Sequence, residues 1–502
     1  MEDCKNIDAG LCDLTLEYIE LADIQKAIQN EDASWVADIT SVISSGYDLK
    51  DICGSNQENL ESLTFTTFET SEIPDSFDWR NVNETNWVTS VKNQGGCGSC
   101  VAFGCLSALE SVVQIERGRI FDCDLSEAFL FFCGDGSCSQ GWYVSDAASF
   151  LKTNGVPDEA CFPYEAKDMD CLSKASNWKQ RIVSVETNGV VRNVRDIKEA
   201  LVQYGPLVTS FDVYDDFQAY SSGVYQHVWG DRVAGHAVAI IGYNDDPGYW
   251  ICKNSWGPGW GEDGFFRILY GECNIADPAF YFSGVGGNMQ PSPPSNPTPK
   301  PSETYVDITL NLTWAPCIDP DGDPVTYDVY LTEGRFVSDD ALVAKDLNEP
   351  FFEIGSLDKA TEYAWKVVGA DAGGAQHSSP VWRFQTRYPR APEVTGPSEI
   401  KINKEYQFSL KPGDTDGSEY YWFIDWGDDT DTGWLGPYSL AEPLLLSHQW
   451  SSRGMSNVSV RYREDGILSE WGSQPIIIRY VSNYSPLDRL FFFLDMLKSI
   501  TP

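Results

Sequence analysis

A cysteine that follows a glycine-rich turn and opens a helix is well placed for nucleophilic chemistry, and this sequence has one. Lys92-Asn93-Gln94-Gly95-Gly96-Cys97-Gly98-Ser99-Cys100 runs into a segment with Cys105, Leu106, Leu109, Val112, Val113 and Ile115 apolar at helical spacing, up to Arg117-Gly118. Cys100 falls on the first turn of that predicted helix, where unpaired N–H groups and the positive end of the macrodipole favour a thiolate. Gln94, six residues upstream, can lay its amide beside the sulfur as an oxyanion donor. A structural reading competes: Cys97 and Cys100 could form a disulfide or half of a zinc site.

The partners decide between these readings. A thiolate nucleophile needs a base, and the chain has four histidines: His227, His236, His377 and His448. His236 lies in Gly235-His236-Ala237-Val238-Ala239-Ile240-Ile241-Gly242-Tyr243, a β-branched run expected to be a buried strand. A lone histidine on an apolar strand is commonly a satisfied core residue. His227, nine residues earlier, is the rival base.

Three stretches together resemble the papain-like (C1) cysteine peptidases. Cys97-Gly98-Ser99-Cys100-Val101-Ala102-Phe103 is similar to that family's C-G-S-C-W-A-F, with Val101 in place of tryptophan. The His236 run resembles its H-A-V-x-x-x-G-Y strand and lies 136 residues after Cys100, within the spacing of roughly 130–150. Asn254-Ser255-Trp256-Gly257-Pro258-Gly259-Trp260-Gly261-Glu262-Asp263-Gly264 matches N-S-W-G-x-x-W-G-x-x-G. The resemblance covers residues 73–285. It implies that Asn254 orients the imidazole, that Trp256 shields that bond from water, and that Cys100, His236, Asn254 and Gln94 form the catalytic set. It also implies disulfides Cys97–Cys138 and Cys133–Cys171, with Cys161 as a nearby competitor. A substrate strip is expected around Gly141, with Trp142 and Tyr143 starting an apolar pocket and Gln140 in place of a family glycine. The two aromatics could equally be ordinary packing residues. No metal or organic cofactor is implied.

Composition sets wider bounds. At 502 residues the prior is about three domains, and 42% hydrophobic content suffices for globular cores. A formal charge of −40 argues against nucleic acid or an anionic membrane as partner. Fourteen cysteines suggest an oxidising compartment, although residues 1–20 lack the basic and apolar regions of a secretory signal. The expectation is an extracellular or cell-surface protein whose signal was trimmed.

The expected fold class is α+β: a two-lobe catalytic domain, one lobe helical and the other barrel-like, followed by two all-β sandwiches. Residues 1–72 are expected to be a prosegment lying across the cleft, with a short amphipathic helix from Leu14 to Ile28. The catalytic domain takes 73–285, where Leu125 to Cys133 reads as a helix capped by Asp124 or Ser126. Residues 286–303, with six prolines from Pro291 to Pro301, read as a semi-rigid polyproline linker. Residues 304–387 alternate as short strands and resemble a fibronectin type III sandwich. Asp319-Pro320-Asp321-Gly322-Asp323 could bind calcium but reads better as a turn, since Tyr330 stands where an EF-hand needs glutamate. Residues 388–482 read as a PKD/immunoglobulin-like sandwich around Tyr420 to Asp429. The tail, 483–502, has an amphipathic run from Leu487 to Leu497 too short to span a bilayer; docking on its own domain is the first expectation. Asn83, Asn311, Asn457 and Asn483 are permissive glycosylation sequons.

The implied activity is peptide-bond hydrolysis through a Cys100 acyl-enzyme, with His236 as acid and base and the protein made as a zymogen. Protein or peptide substrates are the expected partners of a monomer, with a surface or polymer as a possible ligand of the sandwiches. The alternatives are a non-catalytic papain-like adhesion or binding protein, and a transpeptidase using the same residues.

Overall fold

The computed structural model describes residues 9–69, 72–414, 419–439, 443–464 and 466–479; the predicted docking tail Leu487 to Leu497 lies outside them. The chain divides into two compact units, the first containing residues up to 292 with 318–325 and 370–377, the second the remainder.

In the first unit, the apolar periodicity after Cys97 becomes the helix Cys100–Arg117, closed by Gly118 in the left-handed conformation. It is buried along most of its length because it is covered on both sides. The shorter helices Glu127–Phe132 and Val144–Thr153 pack on it, as do strands Arg232–Asn244, Leu207–Tyr214 and Ala279–Gly287. A Cβ at Gly104 would stand 3.2 Å from Val208 Cγ2 and from the Val238 backbone nitrogen. Glycine at that position lets the helix approach the strand that carries His236.

That strand is buried at every position from His236 to Tyr243, which explains a continuous β-branched run instead of an alternating one. It is central to a ten-stranded sheet, flanked by Leu207–Tyr214 and Tyr249–Lys253, with Phe211 paired to His236 and Lys253 to Ala239. The helix predicted after Leu125 spans Glu127–Phe132, and the Ser126 hydroxyl accepts from the Phe129 N–H as its cap.

The N-terminal helix is longer than Leu14 to Ile28, running Ala9–Asn30. The chain then adds a strand, Trp35–Ala37, antiparallel to Tyr220–Tyr225. Trp35 is buried against Tyr220 and Tyr225 at ring-centroid distances of 6.2 and 5.2 Å. Asp319 to Asp323 forms a turn, Asp319 Oδ1 accepting from the Asp321 and Asp323 N–H groups.

Among the described residues, the second unit is β apart from one helical turn, Asp339–Ala341. A three-stranded sheet (Ser295–Thr298, Asn311–Ala315, Phe351–Glu353) accompanies a larger one in the order Glu303–Val306, Trp382–Thr386, Glu362–Ala370, Thr326–Glu333, Leu342–Leu347. Trp314, Tyr327, Trp365 and Trp382 fill the core between them. The proline-rich stretch differs from the expected spacer, because Ser295–Thr298 pairs antiparallel with Asn311–Ala315. It lies at the sheet edge, where a missing proline N–H costs no ladder bond.

The following residues repeat the arrangement. Glu393–Thr395, Glu405–Lys411 and Leu444–Gln449 form one sheet; Glu399–Lys401, Gly472–Arg479, Gly454–Glu464, Tyr420–Asp425 and Asp431–Tyr438 lie in that order in the other. Phe408, Trp422, Trp426, Trp450 and Tyr462 are buried in its core.

Candidate active site

Cys100 opens its helix with no side-chain cap, since the Ser99 hydroxyl pairs instead with the Tyr164 hydroxyl at 2.7 Å. Ala102 and Phe103 donate to the Ser99 carbonyl, and the N–H groups of Cys100 and Val101 are left to the sulfur. The thiol is fully buried and accepts from the Gly54 N–H at 3.2 Å and the Ala237 N–H at 3.4 Å. Burial pushes Cys100 up to about 11, against the pull of backbone donors on Ala237, Gly54, Val101 and Cys100 itself. Cys97 does not pair with Cys100: it is bonded to Cys138, and Cys133 to Cys171. Eight described cysteines, Cys161 among them, are free thiols, so the cysteine count overstates the cross-linking.

The Ala237 contact brings the backbone beside His236 up to the thiol. His236 Nε2 lies 2.8 Å from Asn254 Oδ1, and its Nδ1 is buried without a hydrogen-bond partner. The Trp256 ring covers the imidazole at a centroid distance of 4.7 Å. Burial lowers His236 to about 4, opposed by its bond to Asn254. Asn254 is fixed in turn: its N–H donates to the Gly264 carbonyl, and its Oδ1 also accepts from the Ser255 N–H. The rival His227 turns elsewhere, with Nδ1 3.2 Å from Asp216 Oδ1 and its ring stacked on Tyr214. His448 pairs with Asp428 at 2.8 Å in the second unit.

Gln94 is buried and fully engaged. Its Oε1 accepts from the Ser255 hydroxyl at 2.6 Å, while Nε2 donates to the Cys97 carbonyl at 2.8 Å and to the Ile52 carbonyl at 3.0 Å. One amide N–H is thus aimed at a backbone carbonyl beside the thiol, the placement an oxyanion donor needs.

That carbonyl belongs to the N-terminal segment, whose cleft residues sequence reasoning had not singled out. The Trp142 N–H donates to the Gly54 carbonyl at 2.8 Å, Ser55 N–H to Gly235 and Asn56 N–H to Trp142, with Ser55 and Trp142 bridged in parallel. The Ser55 and Ser210 hydroxyls lie 2.8 Å apart. Gly54 sits so close that a Cβ there would stand 1.9 Å from the Gly98 carbonyl oxygen, and one at Gly141 (φ +65°) equally close to that of Gly54. The signal available in sequence was a small polar run, Gly54-Ser55-Asn56, directly after the apolar Ile52-Cys53.

The strip around Gly141 therefore contacts backbone, whereas the Trp142 indole packs inward against Phe131 and Phe150. Tyr143 is 41% exposed and Gln140 is exposed, its carbonyl accepting from the Asn56 amide and its N–H donating to the Ser137 carbonyl.

A second layer, also not anticipated, ties the elements together. Lys92 Nζ bonds Glu110 and Glu127 at 2.8 Å each, Glu110 accepts from Thr89, and Lys253, next to Asn254, donates to Thr89 at 2.9 Å. The helix that Cys100 opens and the strand that ends at Lys253 are thereby linked through buried charge.

Comparison with known proteins gives the family. Residues 73–283 match the family described as papain family cysteine protease. Cathepsin B-like CP3 of Giardia intestinalis is 37% identical over 233 residues, 42% of this chain and 75% of that protein. Pro-cathepsin H of Mus musculus is 37% identical over 227 residues, 42% of this chain and 66% of that protein. Among solved structures, proCathepsin B S9 from Trypanosoma congolense aligns over 52% of this chain and 97% of its own, at 25% identity and a TM-score of 0.47. This chain belongs to the papain family of cysteine proteases.

Proposed function

We propose that Cys100 is the nucleophile of a peptidase that hydrolyses peptide bonds through an acyl-enzyme. The observation that carries the reading is the division of labour on His236: Asn254 holds Nε2, which leaves the unpartnered Nδ1 as the nitrogen that serves the adjacent thiol. In the open cleft, His236 Nδ1 takes the Cys100 proton, the sulfur attacks the substrate carbonyl carbon, and the oxyanion is held by the Gln94 amide and the Cys100 N–H. His236 then protonates the leaving amine, and afterwards activates the water that releases the acid. Trp256 keeps water off the His236–Asn254 bond. Gly141 and the backbone of Trp142 bind the extended peptide, with Tyr143 at the rim.

In the same reading, residues 1–72 are a prosegment and the closed cleft is a zymogen. Gly54 and Ile52 occupy the thiol and the oxyanion donor, and their cover keeps both thiol and imidazole neutral, the non-reactive pair. The sandwiches at 304–387 and 388–482 are a fibronectin type III-like and a PKD/immunoglobulin-like module that hold a surface or polymer. The whole acts as an exported monomer.

The test is labelling with an epoxide thiol inactivator, followed by peptide mapping, beside hydrolysis of a peptide substrate. Stoichiometric labelling at Cys100 once residues before about Ile73 are shed, with hydrolysis lost in Cys100→Ala, is the expected result. No labelling or turnover in the trimmed chain would leave a binding protein instead.

A further inference from the structure

The second sandwich carries an outward sheet face unlike the rest of this acidic chain. On Tyr420–Asp425 and Gly454–Glu464 the inward residues, Trp422, Ile424, Val460 and Tyr462, are buried, so the alternation turns Tyr421, Phe423, Arg461 and Arg463 to the other side. Tyr421 pairs directly with Arg463, and Phe423 with both Arg461 and Trp434. The Arg461 guanidinium carbon lies 4.6 Å from the Trp471 ring centroid and 5.6 Å from those of Phe423 and Trp434. Arg463 lies 5.0 Å from Tyr421 and 5.2 Å from Trp434. The result is a row of alternating rings and guanidiniums. Trp434, between the two guanidiniums, is 39% exposed, and Trp471, at the Arg461 end of the row, is 47% exposed.

The charge on this face is out of place. With 75 acidic and 35 basic residues, this chain gives many of its arginines carboxylates to hold: Arg80 has Asp78, Arg181 has Asp158, Arg267 has Glu262, and Arg387 has Asp307 and Asp414; Arg119 and Arg383 bond backbone carbonyls instead. For the guanidiniums of Arg461 and Arg463, ring stacking is the contact seen, and neither has a carboxylate or side-chain hydrogen-bond partner among the described residues. A planar guanidinium stacked on a ring keeps its edge donors outward, preset for a bidentate carboxylate.

We infer that this face binds a carboxylate-bearing polysaccharide, its sugar rings stacked on Trp434 and Trp471 and its carboxylates paired with Arg461 and Arg463. A net charge of −40 opposes duplex nucleic acid, with one charge per about 1.7 Å of its axis, whereas a uronate polymer spaces its carboxylates one to each sugar and presents the ring faces between them. The two central strands are interior to their sheet, so their backbone groups are already paired and cannot add a peptide strand. What remains for recognition is a flat array of rings with two cations. The inference is independent of the peptidase reading.

The test uses full-length protein carrying Cys100→Ala, so that proteolysis plays no part, in 0.15 M salt, where the distant acidic surface is screened beyond about 8 Å. Titration with polygalacturonate is compared with neutral dextran and with polyglutamate. Saturable binding of polygalacturonate, at least tenfold tighter than either control and at least tenfold weaker in Arg461→Gln/Arg463→Gln, is expected. Should that double variant fail to fold, Ser473→Glu decides. Ser473 is exposed and pairs with Ser459 on the Arg461 strand, so the new carboxylate would compete for Arg461 without disturbing the row, and the same tenfold loss is expected. Absence of polygalacturonate binding, equal binding by a folded Ser473→Glu variant, or polyglutamate bound as tightly would each overturn the inference, the last in favour of an acidic protein partner.

Discussion

The backbone N–H of Gly54 donates to the Cys100 sulfur across 3.2 Å, although 46 positions separate them in the chain. That contact joins the N-terminal segment to the nucleophile, and it exists because glycine alone fits: a Cβ at residue 54 would meet the Gly98 carbonyl at 1.9 Å. Gly98 belongs to the turn held by the Cys97–Cys138 disulfide and cannot retreat. Gly54→Val should therefore lift the segment. In the untrimmed chain at neutral pH, epoxide labelling of Cys100 is expected to accelerate at least tenfold, while the trimmed enzyme labels at its usual rate. Unchanged slow labelling of intact Gly54→Val would mean that the segment does not guard the thiol.

Asn254→Ala removes the acceptor that fixes His236 Nε2. A hydrogen bond to a charged partner is worth about 1.5–3 kcal/mol, so kcat of the trimmed enzyme is expected to fall roughly 10- to 100-fold with KM little changed. A shift confined to KM would place Asn254 in substrate binding instead of imidazole orientation.

Gln94→Ala deletes the amide aimed at the Ile52 carbonyl. If a substrate oxyanion takes that place, the loss should be about 2.7–4 kcal/mol of transition-state stabilisation, or a 10²–10³-fold lower kcat. Because Gln94 also bonds Cys97 and Ser255, the melting temperature must be followed in parallel. An undiminished kcat in a folded variant would remove Gln94 from the mechanism.

The side chains of the candidate site were legible in the sequence because the proposed chemistry demands particular residue types at particular places: a cysteine opening a helix, a histidine on a buried strand, an asparagine after the next strand. The cleft contacts of the N-terminal segment were not, since they run through backbone atoms of Ile52, Gly54 and Asn56, and a backbone donor leaves no mark in residue type. Trp142 shows a different limit. Its position beside the substrate strip could be read, but an indole may face a cleft or a core, and only packing against Phe131 and Phe150 settles which. Prolines 291 to 301 suggested a spacer because proline favours extended backbone; an edge strand satisfies the same preference, and Ser295–Thr298 adopts it.

The closed cleft should open in acid. His236 is held at about 4 against an ordinary 6.5, chiefly by burial. Exposure to water on departure of the segment would restore it toward 6.5, so the open form binds a proton that the closed form resists. Stability of the closed form contributed by the neutral imidazole is then complete above pH 6.5 and lost progressively as pH falls toward 4. Cys100, raised to about 11, contributes in the opposite range: a neutral thiol favours the closed form up to about pH 9, and that contribution fades only between about 9 and 11. No window between pH 6.5 and 9 therefore favours opening through either group. The expected outcome is cleavage before Ile73, followed by intact mass against time, that is slow at pH 7.5 and accelerates steadily from pH 6.5 to 4. Processing that runs fastest above pH 7 would show that the buried imidazole does not hold the cleft closed.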